Sequence, residues 1–295
     1  MKYIILGHQN PDVDSILSGI LLERIFTRNI KSDSFKFIIP DDTIDELTKK
    51  IISNLGIDIN DYKDKTVDEL DQIILVDHYE DTRYNNRICA IYDHHPITSN
   101  LNYFENVSSY HLTKSCSTTT IIYNMFNEYI TKDEFILVLV GALVDTVSFN
   151  SDKTNYEEVE LLKKKCEEYG YDINNYLEIG LCLNNLDDLN KIYLNGLKKH
   201  VLQDKKVESS YIQIKDIDKN NSKIEAIISM LTNYLNQEKL DIFVFIVHDM
   251  DNFKSIAYKI TKEGITIDNY DSYTSRSSII ANLNQELLEK KTTRV

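Results

Sequence analysis

The chain has 295 residues, room for about two domains, and its 42% hydrophobic and 27% charged residues make an ordinary globular balance. Its 33 basic residues against 47 acidic ones leave a net charge of −14. That excludes long nucleic acid and anionic membrane as main partners, because both select for clustered Lys and Arg. Four cysteines without C-x-x-C spacing exclude a zinc ribbon, a thioredoxin-like site and a disulfide scaffold, and point to a reducing compartment. The apolar stretch at residues 3–6 is too short for a signal-peptide core, and the longest apolar run, 135–144, is about half a membrane span. A cytoplasmic location is therefore expected.

The first half alternates strand and helix. Residues 2–6 read as a short buried strand, followed by a helix over 13–29 with Ile16, Leu17, Ile20, Leu21 and Ile25 on one face. A strand follows at 35–39. Thr43 to Glu46 has the form of a capping box, and Gly56 can close the helix it opens. Strands are predicted at 73–76 and 88–92, and helices over 115–129 and 132–144, the latter opened by a Thr131–Glu134 capping box. A charged helix over 155–169 stops at Gly170. This alternation predicts an α/β domain with a mostly parallel, doubly wound sheet.

The second half reads differently. A polar stretch at 184–190 is taken as a linker between a catalytic domain, 1–185, and a substrate-binding domain, 191–295. Strands are predicted at 205–214, 241–247, 253–260 and 264–269, with helices over 223–235 and 276–289. The expectation is a smaller α+β domain with a mixed sheet.

Four segments of the first half end in acidic and His residues. They are Gly7-His8-Gln9-Asn10-Pro11-Asp12-Val13-Asp14-Ser15, Val76-Asp77-His78-Tyr79-Glu80, Tyr92-Asp93-His94-His95, and Val144-Asp145-Thr146. Three of them sit at strand carboxyl ends, where open parallel sheets bind ligands. Taken singly, Asp12 or Asp14 reads as a helix cap and Asp145 as a helix-end residue. Taken together, so many carboxylates need cations to offset their repulsion. Imidazole with carboxylate suits Mn2+, Co2+, Fe or Zn2+, whereas Mg2+ favours oxygen alone. His111, His200 and His248 lie outside these clusters and carry no assignment.

These motifs resemble those of the DHH phosphoesterase superfamily, and within it the manganese-dependent family II inorganic pyrophosphatases. The resemblance covers most of residues 1–160, including Ser115-Cys116-Ser117-Thr118-Thr119-Thr120 and Asp145-Thr146-Val147-Ser148-Phe149-Asn150-Ser151. It implies two divalent cations, Mn2+ first, with Co2+ or Mg2+ as alternatives. His8, Asp12 and Asp77 would hold one, and Asp14, Asp77, His94 and Asp145 the other, with Asp77 bridging. His95 and Asp77 would carry the catalysis, His95 as a phosphate contact or proton donor, with His78 and Asp93 in support. Two cations roughly 3.5–4 Å apart share and acidify a water that attacks phosphorus in line. The chain has no P-loop, no G-x-G-x-x-G and no adjacent glycine pair, so metals and side chains must hold the phosphate.

In the second domain the resemblance implies cationic phosphate ligands, here Lys198 and Arg276. Ser277 and Ser278 stand where the family has lysines, and a serine offers only a neutral hydrogen bond to phosphate. Lys153 is either a partial replacement or a surface residue. The expected substrate is a small phosphorylated molecule, pyrophosphate or a short polyphosphate, hydrolysed as the domains close about the linker. The alternatives are exopolyphosphatase-like activity, dinucleotide phosphodiesterase activity, or a non-catalytic metal- or nucleotide-binding regulator. The resemblance leaves a homodimer through the first domain open.

Overall fold

The computed structural model describes residues 1–39, 44–63, 66–79, 81–96 and 107–292. They fall into two compact units, Met1–Phe149 with Lys153–Gly180, and Leu181–Val295 with Asn150–Asp152.

The first unit runs β1 (Lys2–Leu6), α1 (Val13–Asn29), β2 (Ser34–Ile38), α2 (Glu46–Asn54), β3 (Gln72–Val76), β4 (Ile88–Asp93), β5 (Ser109–Leu112), α3 (Thr118–Phe126), α4 (Lys132–Asp145), α5 (Tyr156–Tyr169) and α6 (Asn174–Leu181). Its five strands are all parallel, in the order β2-β1-β3-β4-β5. A parallel sheet is covered on both faces, so its strands are continuous apolar runs. Ile4, Ile5 and Leu6 of β1 and Ile73 to Val76 of β3 are accordingly buried. The chain steps out from β1 to β2 and returns to β3 on the other side, which makes the β1/β3 boundary the switch point where such sheets open a crevice. Leu6 pairs with Leu75, and Val76 with Tyr92, so the carboxyl ends of β1, β3 and β4 lie level.

Local chemistry sets the helix ends. Asp12 caps α1 by accepting from Ser15 N at 3.1 Å. The Thr131–Glu134 capping box opens α4, Asn155 caps α5, and Gly170 closes α5 in the left-handed region at φ 70. Thr43 of the first expected box lies outside the described residues; α2 is capped by Asp45, which accepts from Thr48 N at 2.9 Å. The helix expected from residue 115 starts only at Thr118. Ser117 caps it, and Ser115 Oγ and Cys116 N are spent on the Glu158 carboxylate. It ends at Phe126 in a 3-10 turn, Asn127–Tyr129. β5 is a strand the periodicity did not predict.

The second unit runs α7 (Leu189–Ile192), β6 (Lys198–Leu202), β7 (Lys205–Ile214), α8 (Ile217–Glu238), β8 (Ile242–Asp249), β9 (Lys254–Thr261), β10 (Gly264–Tyr270) and α9 (Arg276–Thr292). Its sheet is mixed, ordered β10-β9-β8-β7-β6, with only β7 and β8 parallel. The central strand β8 is buried on both faces by its period of two. Phe243, Phe245 and Val247 pack with Ile227, Leu231 and Leu235 of α8, while Val244 and Ile246 pack with Ile279, Ile280 and Leu283 of α9. Among the described residues no helix is long and apolar enough to cross a membrane.

Candidate metal centre

All six carboxylate and imidazole residues expected as metal ligands come together in the first unit. His8, Asp77 and His94 follow β1, β3 and β4, at neighbouring strand ends. Asp12 and Asp14 stand at the start of α1, and Asp145 is the last residue of α4. Asp77 has φ 62, a left-handed conformation that costs a non-glycine residue about 1–2 kcal/mol. Its N–H still donates to Tyr92 O at 2.8 Å, so the backbone turns without leaving the sheet's bonding. The exit from α4 bears the same mark, with Val147, Ser148 and Phe149 at φ 52, 55 and 67 directly after Asp145-Thr146. Thr146 Oγ1, which accepts from Phe149 N at 3.1 Å, helps to hold that turn.

The ligand atoms form overlapping groups. His8, Asp12 and Asp77 make one, Asp14, His94 and Asp145 another, and Asp77, His94 and His95 a third, with the atoms of each group within 4.8 Å of one another. Asp77 joins them through separate oxygens. Its Oδ2 is 3.3 Å from His8 Nε2 and its Oδ1 is 3.5 Å from His94 Nε2. His8 Nε2 is also 3.4 Å from Asp12 Oδ2, and His94 Nε2 is 2.9 Å from Asp145 Oδ2.

The imidazoles fit a cation. His8 Nδ1 lies 2.8 Å from Gln9 O and His94 Nδ1 3.2 Å from Ser115 O, and a carbonyl can only accept, so both Nδ1 atoms carry the hydrogen. That leaves each Nε2 with its lone pair directed among carboxylate oxygens. Buried His94 Nε2 has no hydrogen-bond partner of good geometry. Lone pair against carboxylate is repulsive unless a proton or a metal ion stands between them, and Nδ1 anchored on a carbonyl is how ligating histidines are oriented.

Electrostatics agree. Burial raises Asp14 well above the usual carboxylate range, and the Asp77 and Asp145 charges add to it. Burial would raise Asp77 as well, but the His8, His94 and His95 imidazoles around it hold it well below. Burial and the Lys153 ammonium press His94 down, yet the Asp145 and Asp77 carboxylates outweigh them and hold it well above an ordinary imidazole. The site takes up positive charge wherever it can.

His95 Nδ1 donates to Asp93 Oδ1 at 2.8 Å, and His95 N also donates to that oxygen, at 3.1 Å. Asp93 itself is fully buried. Burial and the neighbouring His94 lower His95 from its ordinary value. His78 donates Nδ1–H to Val76 O at 2.9 Å, and burial pushes it down to about 4. Glu80 lies outside the described residues.

Two contributions escaped the sequence reading. The start of α3 holds the carboxylates, as Thr118 N and Thr119 N donate to Asp14 at 2.7 and 3.1 Å and Thr118 Oγ1 donates to Asp77 Oδ1 at 3.2 Å. An anion at a helix N-terminus is stabilised by exposed N–H groups and the dipole. The signal was the run of hydroxyl residues at 117–120, which had no role attached. The other is Lys153, whose Nζ donates to Asp145 Oδ2 at 2.8 Å, a carboxylate contact that neither reading of this residue included.

Lys198 and Arg276 belong to the second unit. Lys198 opens β6 opposite Ser209, and Arg276 opens α9, donates to Gly196 O and lies over the Tyr211 ring at 5.2 Å. Ser277 and Ser278 follow it, and Ser278 Oγ donates to Asp152 Oδ2 at 2.5 Å. Ser275 N donates to the same carboxylate at 2.9 Å.

Comparison with known proteins follows the same lines. The family model for the DHH family, N-terminal domain, matches residues 2–142. The manganese-dependent inorganic pyrophosphatase of Methanocaldococcus jannaschii is 26% identical, the match covering 98% of this chain and 94% of that one. Its Bacillus subtilis counterpart is 25% identical, covering 90% and 88%. The crystal structure of a Methanococcus jannaschii protein assigned to the family II inorganic pyrophosphatases superposes with a TM-score of 0.76 at 22% identity, covering 97% and 99%, which shows a shared fold. Residues 2–142 thus match the DHH-family N-terminal domain, in a chain similar along nearly its whole length to manganese-dependent inorganic pyrophosphatases.

Proposed function

We propose that the chain hydrolyses inorganic pyrophosphate to two phosphates with two divalent cations, Mn2+ first. The observation that carries this reading is Asp77, whose two oxygens separately face His8 and His94, each imidazole backed by a further carboxylate. That donor set would hold one ion with His8, Asp12 and Asp77, and another with Asp14, Asp77, His94 and Asp145. Bound there, the cations supply Lewis acidity toward phosphate oxygens and toward an attacking water.

The chain's own residues do the rest. Thr118 and the N-terminus of α3 hold the Asp14 and Asp77 carboxylates in place. Asp93 keeps a His95 hydrogen on Nδ1, so Nε2 is the atom that would take up a proton and, as imidazolium, donate to a phosphoryl oxygen. Lys198 and Arg276 are the second unit's cations for phosphate. The name and full-length similarity of the manganese-dependent relatives support the same chemistry. None of the four cysteines forms a disulfide, which suits a reducing compartment.

One observation favours a second substrate. Asp152 sits on Ser275 and Ser278 at the start of α9, an acidic group beside the place where the resemblance puts lysines. A short polyphosphate, with its charge spread along a longer chain, would lose less there than pyrophosphate. The test is phosphate release from pyrophosphate, tripolyphosphate and a linear dinucleotide, each with Mn2+ or Co2+. Release from pyrophosphate is expected, and Asp77→Ala should abolish it while leaving the circular dichroism spectrum unchanged. Preferential release from tripolyphosphate would move the assignment to the second reading. No release from any of the three would overturn catalysis and leave a metal-binding regulator.

A further inference from the structure

The second unit grips Arg276 with two groups that carry no charge. The guanidinium donates to Gly196 O and lies over the Tyr211 ring at 5.2 Å. A carbonyl orients one of its donors and an aromatic face attracts its plane, yet neither cancels the positive charge as a carboxylate would. Both groups are themselves held. Asn195 O accepts from Tyr211 N at 3.2 Å and Asn195 Nδ2 donates to Tyr211 O at 3.0 Å, which ties the loop before β6 to β7. The Tyr211 ring is edge-on to His248 at 5.9 Å, and His248 stacks on Tyr273 at 4.2 Å, so buried rings back the platform. Gly196 has φ 60, and a Cβ on it would lie 2.5 Å from Tyr211 Cε1 and 3.3 Å from Arg276 Nη1. The position therefore requires glycine for its backbone conformation and for space.

The loop runs on from Gly196 through Leu197 into Lys198, the first residue of β6. Gly196 thus ties the start of α9 to a point two residues ahead of Lys198. We infer that Gly196 and Tyr211 are positioning residues that hold the Arg276 guanidinium in fixed register with Lys198 before an anion arrives. The inference rests on the reading above of Arg276 as a phosphate cation. An arginine ordered in advance loses less side-chain freedom on binding, and its planar fork then meets phosphate oxygens at a set angle.

A double-mutant cycle tests it. The readouts are calorimetric binding of imidodiphosphate, a non-hydrolysed analogue of pyrophosphate, with Mn2+ present, and KM and kcat for pyrophosphate itself. Gly196→Ala and Tyr211→Leu should each weaken analogue binding and raise KM by roughly 3- to 10-fold, with kcat within about threefold. Tyr211→Phe, which keeps the ring, should recover most of the loss. In an Arg276→Ala background neither substitution should cost more than about twofold, because both act through the guanidinium. The Arg276 Nε–H resonance should shift when the ring is removed in Tyr211→Leu and stay in place in Tyr211→Phe. No loss in either variant, or the same loss with Arg276 already removed, would overturn the positioning role and leave the proposed activity standing. An Arg276→Ala chain that binds the analogue as wild type does would overturn Arg276 as a phosphate cation and this inference with it. Wild-type binding of the analogue without hydrolysis of pyrophosphate would overturn the catalytic reading alone, and the binding cycle would still decide the positioning role. Absence of both in the wild type would overturn the two together.

Discussion

Gly141 leaves no room for a side chain beside the candidate metal centre. A Cβ there would lie 2.3 Å from Thr119 Oγ1 and 3.0 Å from Asp14 Oδ1, below van der Waals separation in both cases. In the interior of α4 an alanine would be favoured over glycine by about 1 kcal/mol on helix propensity. The position therefore gives up helix stability for the close approach of α3 and α1. Gly141→Ala should push Thr119 and Asp14 aside and weaken Co2+ binding by roughly 10- to 100-fold with little change in the urea midpoint of the metal-free protein. Unchanged Co2+ affinity in the titration would show that Asp14 is not seated by this contact. At this scale the sequence was legible where chemistry is written in residue type: an Asp or His after an apolar strand announces itself. It was not legible where the role depends on reach. Thr118 reads as one hydroxyl among four, and only the meeting of α3 with β3 puts it 3.2 Å from Asp77. Lys153 comes eight residues after the Asp145 it binds, and the left-handed turn at residues 147–149 that leads back toward it has no glycine to signal it.

Among the elements, α4 shows how one side chain can fix both an end and a neighbour. Glu134 closes the capping box by accepting from Thr131 N and Oγ1, both at 2.9 Å, and accepts from Arg28 of α1 at 2.9 and 3.0 Å. The Glu134 side chain is only 7% exposed, whereas Arg28 is 42% exposed, so the pair is screened on one side and the cap is the firmer contribution. Glu134→Ala should cost about 2–3 kcal/mol in urea unfolding, combining a lost cap with an orphaned Arg28, and Glu134→Gln about 1 kcal/mol. Equal losses for the two would mean that the charge carries the whole effect. Helices such as α4 and α5 were readable because their caps and their periodicity are both local, and Thr131, Asn155 and Gly170 stand in the sequence as signs. The edge strands β5 and β6 were not. Ser109–Leu112 and Lys198–Leu202 have no fully buried residue, so no apolar period marks them. They are strands because β4 and β7 offer them a hydrogen-bonding edge, which is tertiary information. For the same reason α8 outruns its expected span of 223–235. Its outer turns are polar and continue a helix whose apolar face is already docked by Ile227, Leu231 and Leu235.

For the molecule as a whole, a net charge of −14 leaves little positive charge to spare, and how its histidines are held decides where it appears. In the second unit two of them are kept neutral beside the cations. His248 lies in the sheet with Nδ1 2.9 Å from Ser255 Oγ, stacked on Tyr273 at 4.2 Å and edge-on to Tyr211, whose ring carries Arg276. Burial and the Arg276 charge push it down to about 3, and burial with Arg276 and Lys198 pushes His200 down to about 4. An unfolded histidine takes its proton near pH 6.5. Between there and the folded values the unfolded chain binds protons that the folded unit refuses, so stability is complete above about pH 6.5 and falls as the pH drops toward 3–4. Each such histidine contributes a slope of about 1.4 kcal/mol per pH unit in that window. Urea midpoints of the metal-free protein should therefore decline from about pH 7 to 4.5, and His248→Gln, which can keep a hydrogen bond to Ser255 but cannot protonate, should flatten the decline relative to its own value at pH 7. The same slope in both proteins would show that His248 is not held neutral. Because these imidazoles stay uncharged at neutral pH, they add nothing to the charge that Lys198 and Arg276 place beside them. The acidic chain thus concentrates the second unit's positive charge at this corner in two fixed side chains, and the first unit's positive charge in whatever its carboxylates bind.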